Sequence, residues 1–383
     1  MRVCDVVLNS VWYDPRVRKQ LVEYQAQGIE VSCVGMKCNR YDEEKIARIP
    51  CPVTIVSTRA KYEGRQRNPM KKVLRERCRN RDLCDAIVAY KPDVIHANDL
   101  NALIPAAMAA KELGCALIYD SHEIYVENFF NGGKRMYARM LKAKERKLCK
   151  KVDKMICVSH AAAEYFAREY KIPKPMVITN CSLKAEQVMS SEKNPGFEVL
   201  NHGQFYAGRG YDIMVEASQY LKEYPEIKLA MRGFGVMEQQ LRDRTEELKA
   251  QNVVFYPKVL VEELIPYASH SMVGVAMTEA ICLNFKLSVS NKLFEYASAG
   301  LPVIMSDIPE HRYLNEKYQF GIVLEDNEPE TFAKAVIKLY TDQAFYAKCA
   351  ENAKILSEEV NWETEFAKLI TEEKEICKEG NII

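Results

Sequence analysis

This sequence predicts an α/β protein built from two consecutive Rossmann-like, doubly wound parallel sheets, and three observations carry the prediction. Short apolar runs alternate with helix-length polar-apolar segments almost from end to end, as repeated βα units require. Several of the runs are unbroken stretches of Val and Ile, the pattern of strands covered on both faces. The alternation breaks once, at residues 182–196 (SLKAEQVMSSEKNPG), a polar stretch ending in Asn-Pro-Gly, and then restarts. Such a break marks a linker. The 383 residues suit two domains of about 100–200 residues each, and we place them at 1–182 and 183–360.

In the first half, strands are expected at Val3–Leu8, Ile29–Val34, Val53–Val56, Val94–His96, Ala116–Tyr119, Met155–Val158 and Met176–Thr179. In the second half they are expected at Glu198–His202, Ile227–Met231, Val253–Tyr256, Met272–Ala276, Pro302–Met305 and Gly321–Leu324. Hydrophobic residues make up 48% and charged residues 28%, which excludes disordered and collagen-like chains. The longest nearly uncharged apolar stretch, Ala102–Ala110, is far short of the about 18–20 residues of a transmembrane helix. The first residues enter a β-like run without signal-peptide architecture. The 13 cysteines include no CxxC pair, against a disulfide framework or a zinc ribbon. A reducing cytoplasm is the expected compartment.

Charge is unevenly distributed. Residues 1–180 hold 33 Lys+Arg against 21 Asp+Glu, and the remainder 21 against 32. The basic excess lies mainly in Lys61–Arg81 and Lys134–Lys154, both helical in pattern. In the second, Met136, Met140, Leu141, Leu148 and Val152 recur at helical spacing among Arg and Lys, which makes an amphipathic basic helix. Such a face is either merely solvated or meets an anionic partner. Among partners an anionic membrane surface ranks first, which would place the protein on the inner face of the plasma membrane. Nucleic acid is not expected, because no aromatics interleave for base stacking.

The first strand leads into Leu8-Asn9-Ser10-Val11-Trp12-Tyr13-Asp14-Pro15-Arg16 without a GxGxxG, and GxxxxGK[ST] is absent. NAD, FAD and P-loop sites are therefore not expected. No DxD-type carboxylate pair stands at a strand end, so no metal is expected either. The most informative segment is Ser288–Asp307. Ser290 is a candidate N-cap, Asn291–Ser298 a short helix, Gly300 its left-handed terminator and Leu301–Ile304 the next strand. A helix start at a ligand crevice offers unpaired N–H groups and a positive dipole end to a diphosphate. Lys292 in the first turn opposes the macrodipole by about 0.3–1 kcal/mol, a cost that a bound anion removes. Glu295, one turn on, can accept from both hydroxyls of a diol such as ribose. An ordinary solvated Lys–Glu pair is the alternative.

The string Asn-Lys-Leu-Phe-Glu-Tyr (291–296), followed by Ala-Gly-Leu-Pro-Val-Ile (299–304), resembles the nucleotide-sugar motif of GT-B glycosyltransferases, in particular the large retaining family 4. Other pieces follow in the family's order. They are Asp14-Pro15-Arg16-Val17, Gly28-Ile29-Glu30-Val31, Lys91 to Ala97, Tyr119-Asp120-Ser121-His122-Glu123, Asn201-His202-Gly203-Gln204 with Arg209-Gly210-Tyr211-Asp212, and Arg232-Gly233-Phe234-Gly235. The resemblance implies two domains facing across a cleft, with the acceptor bound to the first and the donor to the second. It also implies a terminal helix in 361–383, opened by Trp362, that packs back on the first domain. The expected donor is a UDP- or GDP-sugar and the acceptor a sugar or lipid-linked sugar. The expected reaction is metal-independent hexosyl transfer with retention, without a cofactor, in cell-surface polysaccharide or glycolipid synthesis.

Position by position, the resemblance implies that Glu295 binds the ribose and that Arg209 neutralises the diphosphate, a bidentate task suited to Arg. Ser290, Asn291 and Lys292 would flank that diphosphate, with Gly203 and Gln204 in the phosphate loop. Gly233 and Gly235 would let the ligand approach the backbone closely. Lys258 would lie near the base and His122 would reach the donor sugar. Arg209, Lys292 and His122 are thus the catalytic candidates. Two departures stand out. Leu287 occupies the position of the family's first motif Glu, with Glu279 a further eight residues upstream, and Gln204 stands where an Arg is common. A nucleotide-binding subunit without catalysis, and a nucleotide-sugar 2-epimerase, are the alternatives.

Overall fold

The computed structural model describes residues 1–39, 41–57, 69–127, 135–184 and 192–379. They form two units, Met1–Thr179 with Glu365–Ile383, and Asn180–Thr364. Residues 61–68 and Lys134 of the two basic stretches, and 185–191 of the expected linker, lie outside the described residues.

In the first unit, strands β1 (Arg2–Val6), β2 (Glu30–Met36), β3 (Val53–Val56), β4 (Val94–Asn98), β5 (Ala116–Ser121), β6 (Lys154–Cys157) and β7 (Met176–Val177) form one sheet in the order β3-β2-β1-β4-β5-β6-β7. All its pairings are parallel. In the second, β8 (Phe197–Gln204), β9 (Ile227–Phe234), β10 (Val253–Tyr256), β11 (Val273–Ala276), β12 (Val303–Met305) and β13 (Gly321–Val323) run β10-β9-β8-β11-β12-β13, also parallel throughout. The winding reverses between β1 and β4 and again between β8 and β11. In sheets of this kind ligands bind beyond the carboxyl ends of the strands at that reversal.

Each strand expected from the sequence is present. The differences that bear on the site are at β8 and β9, which run on to Gln204 and Phe234. There Gly203 pairs with Gly233 and Gln204 with Phe234, so the ladder continues after the apolar run has ended. Successive residues serve opposite faces. Val199 and Leu229 join a cluster with Phe332 and Val336, while Leu200 and Ala230 join one with Leu293, Phe294 and Phe320. Covering on both faces explains why Val199-Leu200 and Leu229-Ala230-Met231 read as unbroken apolar runs.

The basic stretches form helices Pro69–Tyr90 and Arg135–Cys149. Of the apolar stripe expected in the second, Leu141, Leu148 and Val152 are half-buried, whereas the two methionines face outward. Met136 is 85% and Met140 61% exposed, and the helix instead buries Ala138, Glu145 and Cys149. Glu145 supplies the anchor, accepting hydrogen bonds from the Tyr119 hydroxyl at 2.5 Å and the Tyr170 hydroxyl at 2.6 Å. Burial pushes its carboxyl up to about 7. Helix Trp362–Glu379 brings Glu373 to the Tyr24 hydroxyl and to His96 in the first unit, with Phe366 packed edge-on against Tyr24 at 4.8 Å. Among the described residues no helix is long and apolar enough to cross a membrane.

Candidate active site

Strand β8 is apolar at Phe197, Val199 and Leu200 and then turns polar at Asn201-His202-Gly203-Gln204. These residues meet helix Asn291–Ser298. The Lys292 ammonium donates to Asn201 Oδ1 at 2.6 Å and to the Tyr211 hydroxyl at 3.5 Å. His202 Nε2 lies 2.6 Å from Glu295 Oε2, and the His202 backbone N–H donates to the Tyr296 hydroxyl at 2.9 Å. Gly203 has φ +126°, a conformation that L side chains rarely adopt, although a Cβ there would meet Lys292 Cε and the Tyr211 hydroxyl only at an ordinary 3.5 Å contact. At Gly233 (φ +150°) a Cβ would lie 1.8 Å from the Gly203 carbonyl oxygen, and at Gly235 one would lie 2.5 Å from that of Phe205. The chain itself therefore demands these two glycines, independently of any ligand.

Arg209 stands between Gly208 (φ +77°) and Gly210 (φ +75°) in the turn after β8. Its guanidinium lies over the Phe285 ring at 4.7 Å, and its carbonyl accepts from the Asn201 amide at 3.1 Å. Burial pulls its pKa down. Burial, and next the charge of Arg209, lower Lys292 to about 7, with Glu295 opposing them. Among the described residues neither cation has a carboxylate within ion-pair distance. Two cations thus sit side by side on neutral partners.

Ser290 occupies the N-cap position of helix Asn291–Ser298, but its hydroxyl makes no capping hydrogen bond, which corrects the expected cap. Its backbone N–H instead donates to His311 Nε2 at 3.4 Å. Burial lowers His311 to about 4, so the ring is neutral and donates from Nδ1 to the Ser306 carbonyl at 3.1 Å. This imidazole braces the helix start from below, and the serine hydroxyl leaves the first-turn N–H groups untouched. Asn291 and Gln204 are exposed. Lys258 is exposed as well, its ammonium over the half-exposed Phe234 ring at 5.0 Å. Leu287 ends the short helix Leu283–Leu287. Glu279 lies beside Gly208, with its carboxyl raised by burial and by Asp212.

His122 belongs to the first unit, just past β5. Its ring Nε2 lies 2.9 Å from Asn98 Oδ1 and 3.5 Å from Asp120 Oδ2, and Nδ1 lies 3.7 Å from Asp99 Oδ2. The Asp99 carboxylate also accepts from the His122 backbone N–H at 3.1 Å. Burial disfavours the imidazolium, but Asp99 and Asp120 outweigh it and push the ring up to about 9. Asp99 itself takes a left-handed backbone conformation (φ +65°), the kind of local strain that collects at functional sites. Behind it, Asp120 accepts from Arg16 Nε at 2.8 Å, Arg16 Nη2 at 3.1 Å and Gln20 at 2.9 Å. Despite burial, Arg16 and His122 hold the Asp120 carboxyl well below the usual range. The sequence offers no glycine-rich turn after β1, yet Val11 adopts a left-handed conformation there (φ +57°), its N–H held by Asn9 Oδ1 at 2.7 Å.

The structure thus brings Gly203, Arg209, Gly233, Lys292 and Glu295 together around the end of β8. Asn201, His202 and Tyr211, quoted from sequence only as parts of motif strings and given no role, and His311 and Asp99, not singled out at all, complete the two sites.

Residues 16–181 match the family described as Glycosyltransferase Family 4, and residues 184–356 match Glycosyl transferases group 1. The chain belongs to the GT-B glycosyltransferases. No curated protein sequence matches this glycosyltransferase significantly. Among solved structures it is similar to a glycosyltransferase from Rickettsia africae, with TM-score 0.74, 16% identity and 98% of each chain covered. It is also similar to sucrose-phosphate synthase from Thermosynechococcus elongatus, with TM-score 0.76, 14% identity and 98% and 99% covered. A third is HepE from Anabaena, solved with UDP and glucose, with TM-score 0.72, 14% identity and 97% and 98% covered. At these identities the likeness is one of fold. Sugar transfer follows from the family.

Proposed function

We propose that this glycosyltransferase moves a hexose unit from a UDP- or GDP-sugar to a hydroxyl of a sugar or lipid-linked sugar, with retention and without a metal. The observation that carries the reading is the pair Lys292 and Arg209, held by Asn201, Tyr211 and the Phe285 ring with no carboxylate within ion-pair distance among the described residues. Half-buried cations without a close counter-charge are costly, and a diphosphate would supply that charge. As the bond to the sugar breaks, negative charge grows on the departing diphosphate. Preplaced cations and the open N–H groups of the Asn291–Ser298 helix stabilise it without reorganisation. Glu295 would take the ribose hydroxyls and Lys258 would lie towards the base. In the first unit His122, charged at neutral pH, would donate to a sugar hydroxyl. With Leu287 in place of a carboxylate, the reading assigns catalysis to leaving-group stabilisation and attack to the same face. Arg209→Ala should lower kcat/KM by about 10²–10³-fold while the protein still melts cooperatively near the wild-type temperature. Near-native turnover would overturn the role.

For the first unit we propose an anionic membrane surface as partner, and with it a lipid-linked acceptor in glycolipid or cell-surface polysaccharide synthesis. What supports this is the outward face of helix Arg135–Cys149. There Met136 and Met140 stand in solvent among exposed Arg135, Arg139, Lys144 and Lys147. In flotation at low salt, the protein should rise with phosphatidylglycerol vesicles and not with phosphatidylcholine. Equal recovery from both would remove the proposal.

A further inference from the structure

We infer that His202 is a positioning residue that holds Glu295 for the nucleotide's ribose and so sets the preference for ribonucleoside over 2′-deoxyribonucleoside diphosphates. The inference rests on the reading of Glu295 as the ribose contact.

Glu295 is a flexible side chain in a helix, one quarter exposed, and needs an external group to fix the plane of its carboxylate. His202 is that group. Its side chain is only 2% exposed, and its Nε2 lies 2.6 Å from Glu295 Oε2. The ring cannot swing away, because Tyr296, the next residue of the same helix, packs against it at 4.5 Å and accepts its backbone N–H at 2.9 Å.

A role in packing alone does not account for this histidine. Nδ1 is buried and has no hydrogen-bond partner among the described residues. A buried polar atom left unpaired costs free energy, so an apolar residue would fill the same space more cheaply. What the ring adds is a single donor, Nε2–H, directed at Glu295. Asn201, its neighbour in β8, does the same for Lys292. Two consecutive residues at one strand end therefore hold the two charged side chains of one helix. A carboxylate so fixed discriminates strongly, because a nucleotide lacking one hydroxyl leaves a prepared acceptor unpaired.

The test is isothermal titration of UDP and dUDP, and of GDP and dGDP, against wild type, His202→Phe, His202→Gln and Glu295→Gln. For whichever base binds, wild type should prefer the ribo form by about 10- to 100-fold, the range of one hydrogen bond to a charged group. His202→Phe should collapse that ratio by weakening the ribo form and leaving the deoxy form within about twofold. His202→Gln, whose amide N–H can reach Glu295, should restore most of the ratio. A histidine that merely supports the fold would weaken both nucleotides equally, and an unchanged ratio in His202→Phe overturns the inference. If Glu295→Gln also keeps the ratio, or if neither base binds wild type, the ribose reading itself falls and the inference with it. If Glu295→Gln loses the ratio and His202→Phe keeps it, only the inference falls.

Discussion

The two units carry the same winding but opposite electrostatics at the carboxyl ends of their strands. In the first, Arg16, His96 and His122 each have carboxylates beside them: Arg16 is paired with Asp120, His96 lies by Asp120 and Glu373, and His122 lies by Asp99 and Asp120. In the second, Lys292 and Arg209 rest on an amide, a phenol and an aromatic ring. A closed network orients a neutral polar ligand without attracting ions. An open pair of cations demands an anion. On the proposed reading, this difference favours the second unit for the diphosphate.

The sharpest way to break the contrast is to give Lys292 the partner that the first unit gives its cations. Asn201→Asp places a carboxylate oxygen where Oδ1 now lies, 2.6 Å from the ammonium. Nucleoside diphosphate affinity should fall by about 10- to 100-fold, measured by titration calorimetry. Unchanged affinity would mean that the missing counter-charge is not what the site uses.

A second effect follows from the lowered pKa of Lys292. In the free protein the ammonium forms only as pH falls through about 7, and a bound diphosphate favours the charged form. Binding therefore takes up a proton above pH 7, and affinity should weaken by up to about tenfold per pH unit between pH 7 and 9. Calorimetry in two buffers of different ionisation heat reads the proton directly. Lys292→Met should bind more weakly and show no such uptake; if its pH dependence matches wild type, another group titrates.

The first unit offers the converse test. Asp99 leads the carboxylates that raise His122 to about 9, against burial. Asp99→Asn should bring the ring down toward its ordinary 6.5, visible in histidine NMR titration. Activity would then fall more at pH 8 than at pH 6, because the proton on the ring would be lost within the neutral range. A titration midpoint left near 9 would assign the effect to Asp120 alone.

The fold was legible because buried parallel strands need uninterrupted apolar runs, and these survive in Ala116–Tyr119 or Val303–Met305 without any knowledge of neighbours. Lys292 and Glu295 were legible as charges on a well-punctuated short helix. Asn201 and His202 were quoted as part of a motif, but their task could not be read, because it depends on a helix about ninety residues further on. Glu373 was less legible still. It lies among Glu372, Lys374 and Glu375, and only tertiary packing distinguishes a carboxylate that meets Tyr24 and His96 from its solvated neighbours. The stripe in Arg135–Cys149 was legible as an apolar face, but not what holds the helix to the unit. Helical periodicity finds an apolar face, but it cannot say that a buried Glu with two tyrosine hydroxyls has already taken the inward one.

That last point yields the smallest expected effect, and it separates the two faces of one helix. If Met136 and Met140 serve a partner and not the fold, replacing both with Ser should change unfolding free energy by less than about 0.5 kcal/mol, as for exposed positions generally. The same pair should lose most of the flotation with phosphatidylglycerol vesicles. Glu145→Ala, on the inward face, should instead cost about 1–3 kcal/mol by leaving two buried hydroxyls unpaired. Denaturant titration of the variants decides the matter. A substantial loss of stability in the Met136, Met140 pair would mean that the outward stripe supports the fold, and would leave the membrane with only the basic residues to recognise it.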